Sequence, residues 1–230
     1  MAQNSYTIAS LVTDIKVALD YNNSSIPLEM EGDIDTLTLE ELIESKIEDA
    51  ARAVVERAPL RLVDEVEQMT TSNITWDSED ANRLRGGSIT LDPDFLRLVS
   101  FKAGDWDYAV SEAIDDSSPL YARQHSRYGG VRGNPQQPVV AIVNRGSNLI
   151  LEFFTTKSTT AEGSYIKIPK EDNGSISLSD KLKPAVVYYA AYMTARSVGN
   201  DNLAASMLNQ ANVLAGLDQA IPQQPQPQEE

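Results

Sequence analysis

The hydrophobic period changes twice along the chain, and that double change restricts the possible folds more than any composition figure does. Near the start, Ile8, Leu11, Val12, Ile15 and Leu19 fall on one helical face before the turn formers of "YNNSS". The next helix is better specified. In "TLEELIESKIEDAARAVVERAP", Thr38 and Glu41 make a capping box, while Leu42, Ile43, Ile47, Ala50, Ala51, Val54 and Val55 share a face and Pro59 stops the run. From about Ser72 to Pro169 the period shortens. "GSITL", "LRLVSFKA", "YAVSEAI", "QPVVAIV", "NLILEFF" and "GSYIKIP" are short, rich in Val, Ile, Phe and Tyr, and separated by Gly, Pro, Asn and Asp. They predict antiparallel strands in one sheet or small barrel. "SSPLYARQHSRYGGVRGNPQQP" is expected to cross the surface as a loop.

The helical period then returns. Leu182, Ala185, Val186, Tyr189 and Met193 form a stripe, Pro184 is tolerated in the first turn, and Gly199 ends the helix. A second helix is expected to open at Asp201 as its cap and to carry Leu203, Met207, Ala211 and Leu214. The predicted fold class is α+β: a helical bundle, made of N-terminal helices plus a C-terminal helical hairpin, with a β-rich inserted domain. The expected boundaries are 1–71, 72–170 and 171–218, followed by an extended tail at 219–230. The tail, "DQAIPQQPQPQEE", lacks the apolar residues to build a core, and its prolines favour an extended conformation that a partner can order. Pro222, Gln223, Gln224, Pro225, Gln226 and Pro227 are therefore candidate partner-binding residues.

Few catalytic chemistries fit these residues. There is no cysteine, which removes thiolate metal sites and a cysteine nucleophile, and the single histidine, His125, sits among Arg123, Arg127 and Tyr128 with no carboxylate beside it. "RGGS" at 85–88 and "YGGVRGN" at 128–134 lack the Lys-Ser/Thr ending of a phosphate loop and read as flexible loop glycines. No cofactor, metal or catalytic residue is expected. The stretch "AGDWDYAV" poses the sharpest question, because Asp105 and Asp107 flank Trp106 and Glu112 follows. Paired acids beside an aromatic suit a polysaccharide or cell-wall hydrolase, and an exposed Trp76 or Trp106 suits a carbohydrate-binding module. If the strand continues through the stretch, however, the two aspartates lie on one solvent face roughly 7 Å apart and Trp106 points the other way as a sheet anchor. The anchor is the preferred reading.

Charge carries more information than any motif. The chain holds 34 acids against 19 bases, a net −15, which argues against a surface that grips phosphates over its whole extent. The charge is also divided. Residues 29–49 carry many acids, Glu40, Glu41, Glu44 and Glu48 among them, against Lys46 alone, whereas 117–151 contains Arg123, Arg127, Arg132 and Arg145 and no acid. Such a molecule has the means to bind its own neighbour head to tail, acidic helix against basic loop, and to close a ring. Neither a signal peptide nor a membrane span is indicated, so a soluble protein used without export is expected.

Taken in order, these segments resemble the head-to-tail connector (adaptor) proteins of tailed bacteriophages, particularly those of short-tailed phages and, on overall pattern, of crAss-like phages. The resemblance runs over roughly residues 5–217 and rests on Leu91 to Leu98 leading into the sheet, Trp106 after it, the turn with Ser118, Pro119, Tyr121 and Gln124, the strand led by Pro138, and the closing hairpin. It implies a non-enzymatic virion protein in the neck between capsid and tail, assembled in the host cytoplasm. It further implies a homo-oligomeric ring, dodecameric in such proteins, that docks under the portal, contacts tail or further neck proteins, and lets DNA pass without sequence-specific binding. A negative channel would repel DNA rather than hold it.

Overall fold

A computed structural model describes residues 4–22, 39–64, 66–79, 84–126, 128 and 131–217. Along the chain the elements are β1 (Ser5–Thr7), α1 (Ile8–Asn22), α2 (Leu39–Arg57), β2 (Glu67–Gln68), β3 (Thr75–Trp76), β4 (Arg85–Thr90), β5 (Phe95–Ala103), β6 (Ile114–Asp115), α3 (Pro119–Gln124), β7 (Val140–Arg145), β8 (Asn148–Thr156), β9 (Ala161–Lys167), β10 (Glu171–Asp172), β11 (Ser175–Ser177), α4 (Lys183–Ser197) and α5 (Asp201–Leu214). The fold is α+β. Residues 1–65 and 169–230 belong to one compact unit and residues 66–168 to the other.

In the first unit α4 is the helix that packs against α1, α2 and α5. Its composition explains this. Ala185, Val186, Val187, Ala190, Ala191, Thr194 and Ala195 are all buried, and small side chains around much of the helix let neighbours approach from more than one direction. Thr194 satisfies its hydroxyl by donating to the Ala190 carbonyl at 2.9 Å. The facing helices are one-sided, as their periodicity predicts: α1 buries Leu11, Val12, Ile15 and Leu19, and α2 buries Ile43, Ile47, Ala50, Ala51, Val54 and Val55. Each fully buried Leu or Ile contributes about 1.5–3 kcal/mol relative to exposure. The turn between α4 and α5 has Gly199 at φ +78, and the cap of α5 is Asn200, whose side chain accepts from the Leu203 backbone N at 3.2 Å. Asp201 is thus the first helical residue rather than the expected cap. Thr38, the proposed cap of α2, lies outside the described residues.

This unit also contains a small sheet, order β1-β11-β10, where only helices were expected. Its nucleus is local: Asp172 pairs with Ser175 across Asn173 (φ +51) and Gly174 (φ +75), the Asn-Gly hairpin turn that needs positive φ at both positions. Two carboxylates tie the surrounding segments. Asp180 accepts from Tyr6 and Asn4, and this hydrogen bonding pushes the Tyr6 hydroxyl up to about 12. Asp64 accepts from Ser179 at 2.7 Å and Lys181 at 2.9 Å, which together hold its carboxyl below the usual range.

The second unit has two sheets rather than one. A five-stranded sheet has the order β3-β4-β8-β7-β6 and a three-stranded one the order β2-β9-β5. All pairs are antiparallel except β6 with β7. One core joins them: Ile89, Val140, Leu151 and Phe153 from the larger sheet meet Leu98, Phe101 and Tyr165 from the smaller, with Trp106 among them. Strand β8 alternates strictly enough to serve two faces, Leu151 and Phe153 entering this core while Phe154 joins Ala141, Val143 and Tyr121 in a second cluster. Tyr121 belongs to α3, a short helix inside the segment expected to be a loop. Ser118 caps it, accepting from the Leu120 N at 3.3 Å, and Pro119 fills its first turn. Most of "YAVSEAI" is irregular, with only β6 and a bridge from Val110 to Phe101 paired.

Candidate functional site

The Asp105-Trp106-Asp107 stretch forms a clamp on β8. Strand β5 stops at Ala103, and the Trp106 N closes a turn onto the Ala103 carbonyl at 3.0 Å, so the alternation assumed for a continuing strand does not apply. Trp106 is 2% exposed and meets Phe101 and Phe153 edge to face at 5.8 and 6.4 Å between ring centres. Its indole N–H points to the Thr155 carbonyl at 3.4 Å. Asp105 is half-buried, not a solvent residue: its carboxylate accepts from the Thr156 hydroxyl and, at 2.8 Å, from the Lys157 N. Asp107 and Glu112 are exposed. Asp105, an acid beside Trp106, is thus engaged by Thr156 and Lys157 rather than left open to a sugar. Trp76 is no open platform either, since Phe153 abuts its ring at 5.3 Å and the Arg85 guanidinium lies 4.5 Å from its centre.

What the clamp holds is a bulge. Arg85 pairs with Thr156 and Gly87 with Phe153, so Phe154 and Thr155 oppose the single residue Gly86. Thr155 adopts φ +61, a conformation that β-branched residues rarely enter and that costs about 1–3 kcal/mol. "RGGS", expected to be a flexible loop, is strand β4, and its glycines are there for space. A Cβ on Gly86 would sit 2.5 Å from the Phe153 carbonyl oxygen, and one on Gly87 2.6 Å from the Phe153 ring.

Beside the bulge lies a polar cleft of about 510 Å³. Glu152, mostly buried, accepts from the Tyr121 hydroxyl at 2.9 Å and from the Arg145 Nε at 3.1 Å, so each of its oxygens is engaged. Burial first, and Glu152 second, push the Tyr121 hydroxyl upward. Gln124, also buried, bridges the Leu120 carbonyl and the Gly133 N. His125 caps α3, its exposed ring edge-on to Tyr121 and Phe154. Arg132 lines the same cleft, Arg123 is exposed in the last turn of α3, and Arg127 lies outside the described residues. Glu152 and Thr155 carried no signal in the sequence, and Tyr121 and Gln124 entered only through the family resemblance, because the association of the four depends on how β8 and α3 meet.

The acidic residues line the exposed face of α2. Glu40 pairs with Lys16, Glu48 accepts from the Glu171 N at 2.6 Å, and Glu41 and Glu44 are exposed. Pro222, Gln223, Gln224, Pro225, Gln226 and Pro227 lie outside the described residues. No helix among the described residues is long and apolar enough to cross a membrane.

The chain belongs to the SU10 adaptor protein family, which matches residues 6–229. It is a bacteriophage adaptor, a structural component of the virion. No curated protein matches the chain.

Proposed function

We propose that the protein assembles as a homo-oligomeric ring, dodecameric as in the connectors it resembles, that docks under the portal in the neck and joins capsid to tail. Assembly takes place in the host cytoplasm, and the overall sequence pattern is what supports a crAss-like phage as the source. The observation that carries the ring reading is the division of charge. Glu40, Glu41, Glu44 and Glu48 stand on one helix face, while Arg123 and Arg132 stand on α3 and the segment after it. Opposite charge on different surfaces of identical copies favours a heterologous contact, repeated from copy to copy until the ring closes. Arg127 and the tail residues 222–227 extend the same reading, the first to the basic side and the second to the portal or a tail-side protein. DNA then passes a predominantly acidic protein without sequence-specific contacts.

The test is to mix purified protein with its cognate portal and to record mass and negative-stain images. Rings seated on the portal are the expected result. A protein that stays monomeric and does not bind the portal overturns the reading.

A further inference from the structure

The clamp and bulge hold one side chain in an arrangement that folding alone does not call for. Thr155 is 4% exposed, lines the polar cleft, and its hydroxyl has no hydrogen-bond partner among the described residues. A buried hydroxyl without a partner is unfavourable, and here it coincides with a backbone conformation better suited to glycine. Arg132 and Arg145 line the same cleft. We propose that this cleft is a carboxylate socket, which receives one glutamate side chain from the acidic face of α2 in a second copy of this chain.

The chemistry favours a single carboxylate. An incoming carboxylate accepts from the Thr155 hydroxyl and from guanidinium N–H groups, the charge-assisted pairing for which arginine is best shaped. Glu152 does not occupy that role, because Tyr121 and Arg145 already engage both of its oxygens and fix it as part of the wall. Asp77 and Glu152 set two carboxylates against Arg132 and Arg145 in the lining, a balance that a single added carboxylate disturbs less than the run of phosphates on DNA does. The donor is chosen by charge complementarity. Segment 117–151, which supplies both arginines, has no acid, whereas residues 29–49 hold nine acids against one lysine. Within α2, Glu40 pairs with Lys16 and Glu48 with the Glu171 backbone, while Glu44 is exposed and makes no hydrogen bond among the described residues. Glu44 is the side chain assigned to the socket. This inference rests on the head-to-tail ring reading and supplies one of its contacts.

The test uses the full-length chain and a fluorescently labelled synthetic peptide of residues 38–57, followed by anisotropy. Thr155→Gly removes the hydroxyl and suits the positive φ, so its melting temperature stays at or above that of the unaltered protein. Its affinity for the peptide falls about tenfold, the effect of losing one hydrogen bond to a charged group. A peptide carrying Glu44→Gln weakens similarly against the unaltered protein and loses nothing further against Thr155→Gly, as one shared interaction demands. Absence of peptide binding, equal binding by Thr155→Gly, or independent effects of the two changes overturns the socket. So does a duplex DNA probe that binds the unaltered protein and not Thr155→Gly. The mass of the assemblies formed with the portal separates the two readings. Rings without a Thr155 effect overturn the socket alone, and peptide binding without rings overturns the ring alone.

Discussion

At the scale of residues, Asp105 and Trp106 show why a motif's composition does not identify its chemistry. Two acids around a tryptophan look like a sugar site, but each group of Asp105-Trp106 that reaches β8 is occupied by that strand: the Trp106 indole faces the Thr155 carbonyl, and the Asp105 carboxylate holds Thr156 and Lys157. Asp105→Ala leaves the Lys157 N and the Thr156 hydroxyl without their acceptor, at a cost of about 1–3 kcal/mol where they stay shielded from water. Trp106→Ala empties a core position and costs about 3–5 kcal/mol, whereas Trp106→Phe retains much of the packing and loses mainly the indole contact. Urea denaturation is expected to rank the variants Trp106→Ala below Asp105→Ala below Trp106→Phe in stability. Unchanged midpoints for all three would contradict a clamp. The burial of Trp106 was legible because an aromatic next to a strand pattern favours a core. The role of Asp105 was not, because its acceptors' partners stand 51 and 52 positions away in the chain.

At the scale of elements, what could be read depended on how local the cause was. Helices α1, α2, α4 and α5 carry their period in consecutive residues, and their buried faces follow it. The Asn173-Gly174 hairpin is just as local and was present as a turn signal, but a helical reading of its surroundings obscured it. Helix α3 is different: six residues with only Gln124 buried contain no period to detect. The α4–α5 hairpin offers a direct measurement of local specification. Gly199→Ala places a Cβ at φ +78 and is expected to destabilise by about 1 kcal/mol, and Asn200→Ala removes the hydrogen bond to the Leu203 N at a similar cost. Asp201→Ala, by contrast, removes a helix-dipole interaction and a weak attraction to Arg196, and costs only a few tenths of a kcal/mol. Thermal unfolding distinguishes these outcomes, and a larger loss for Asp201→Ala than for Asn200→Ala would reassign the cap to Asp201.

At the scale of the whole molecule, composition and assembly meet in the tail. Residues 219–230 contribute Gln, Pro and two terminal acids but no long apolar run, and every core residue of the described fold lies before them. Removing them therefore tests assembly without testing folding. A chain ending at residue 218 is expected to melt within ~2 °C of the full-length protein, because a segment this rich in Gln and Pro has little apolar surface to bury. On the proposed ring model its attachment to portal rings is expected to weaken by far more than one tail's affinity implies, because such a ring would present its tails together and their contributions would multiply through effective concentration. Raising salt separates this contribution from the proposed charge contact between copies: Glu–Arg pairing at an exposed surface fades as the screening length shortens, whereas proline and carboxamide contacts change little. The informative result is thus a truncated protein whose residual association with the portal is lost in high salt while the full-length protein stays bound. Equal portal binding by the truncated and full-length chains at every salt concentration would remove the tail from the docking mechanism and leave the charged surfaces of the folded units to carry it.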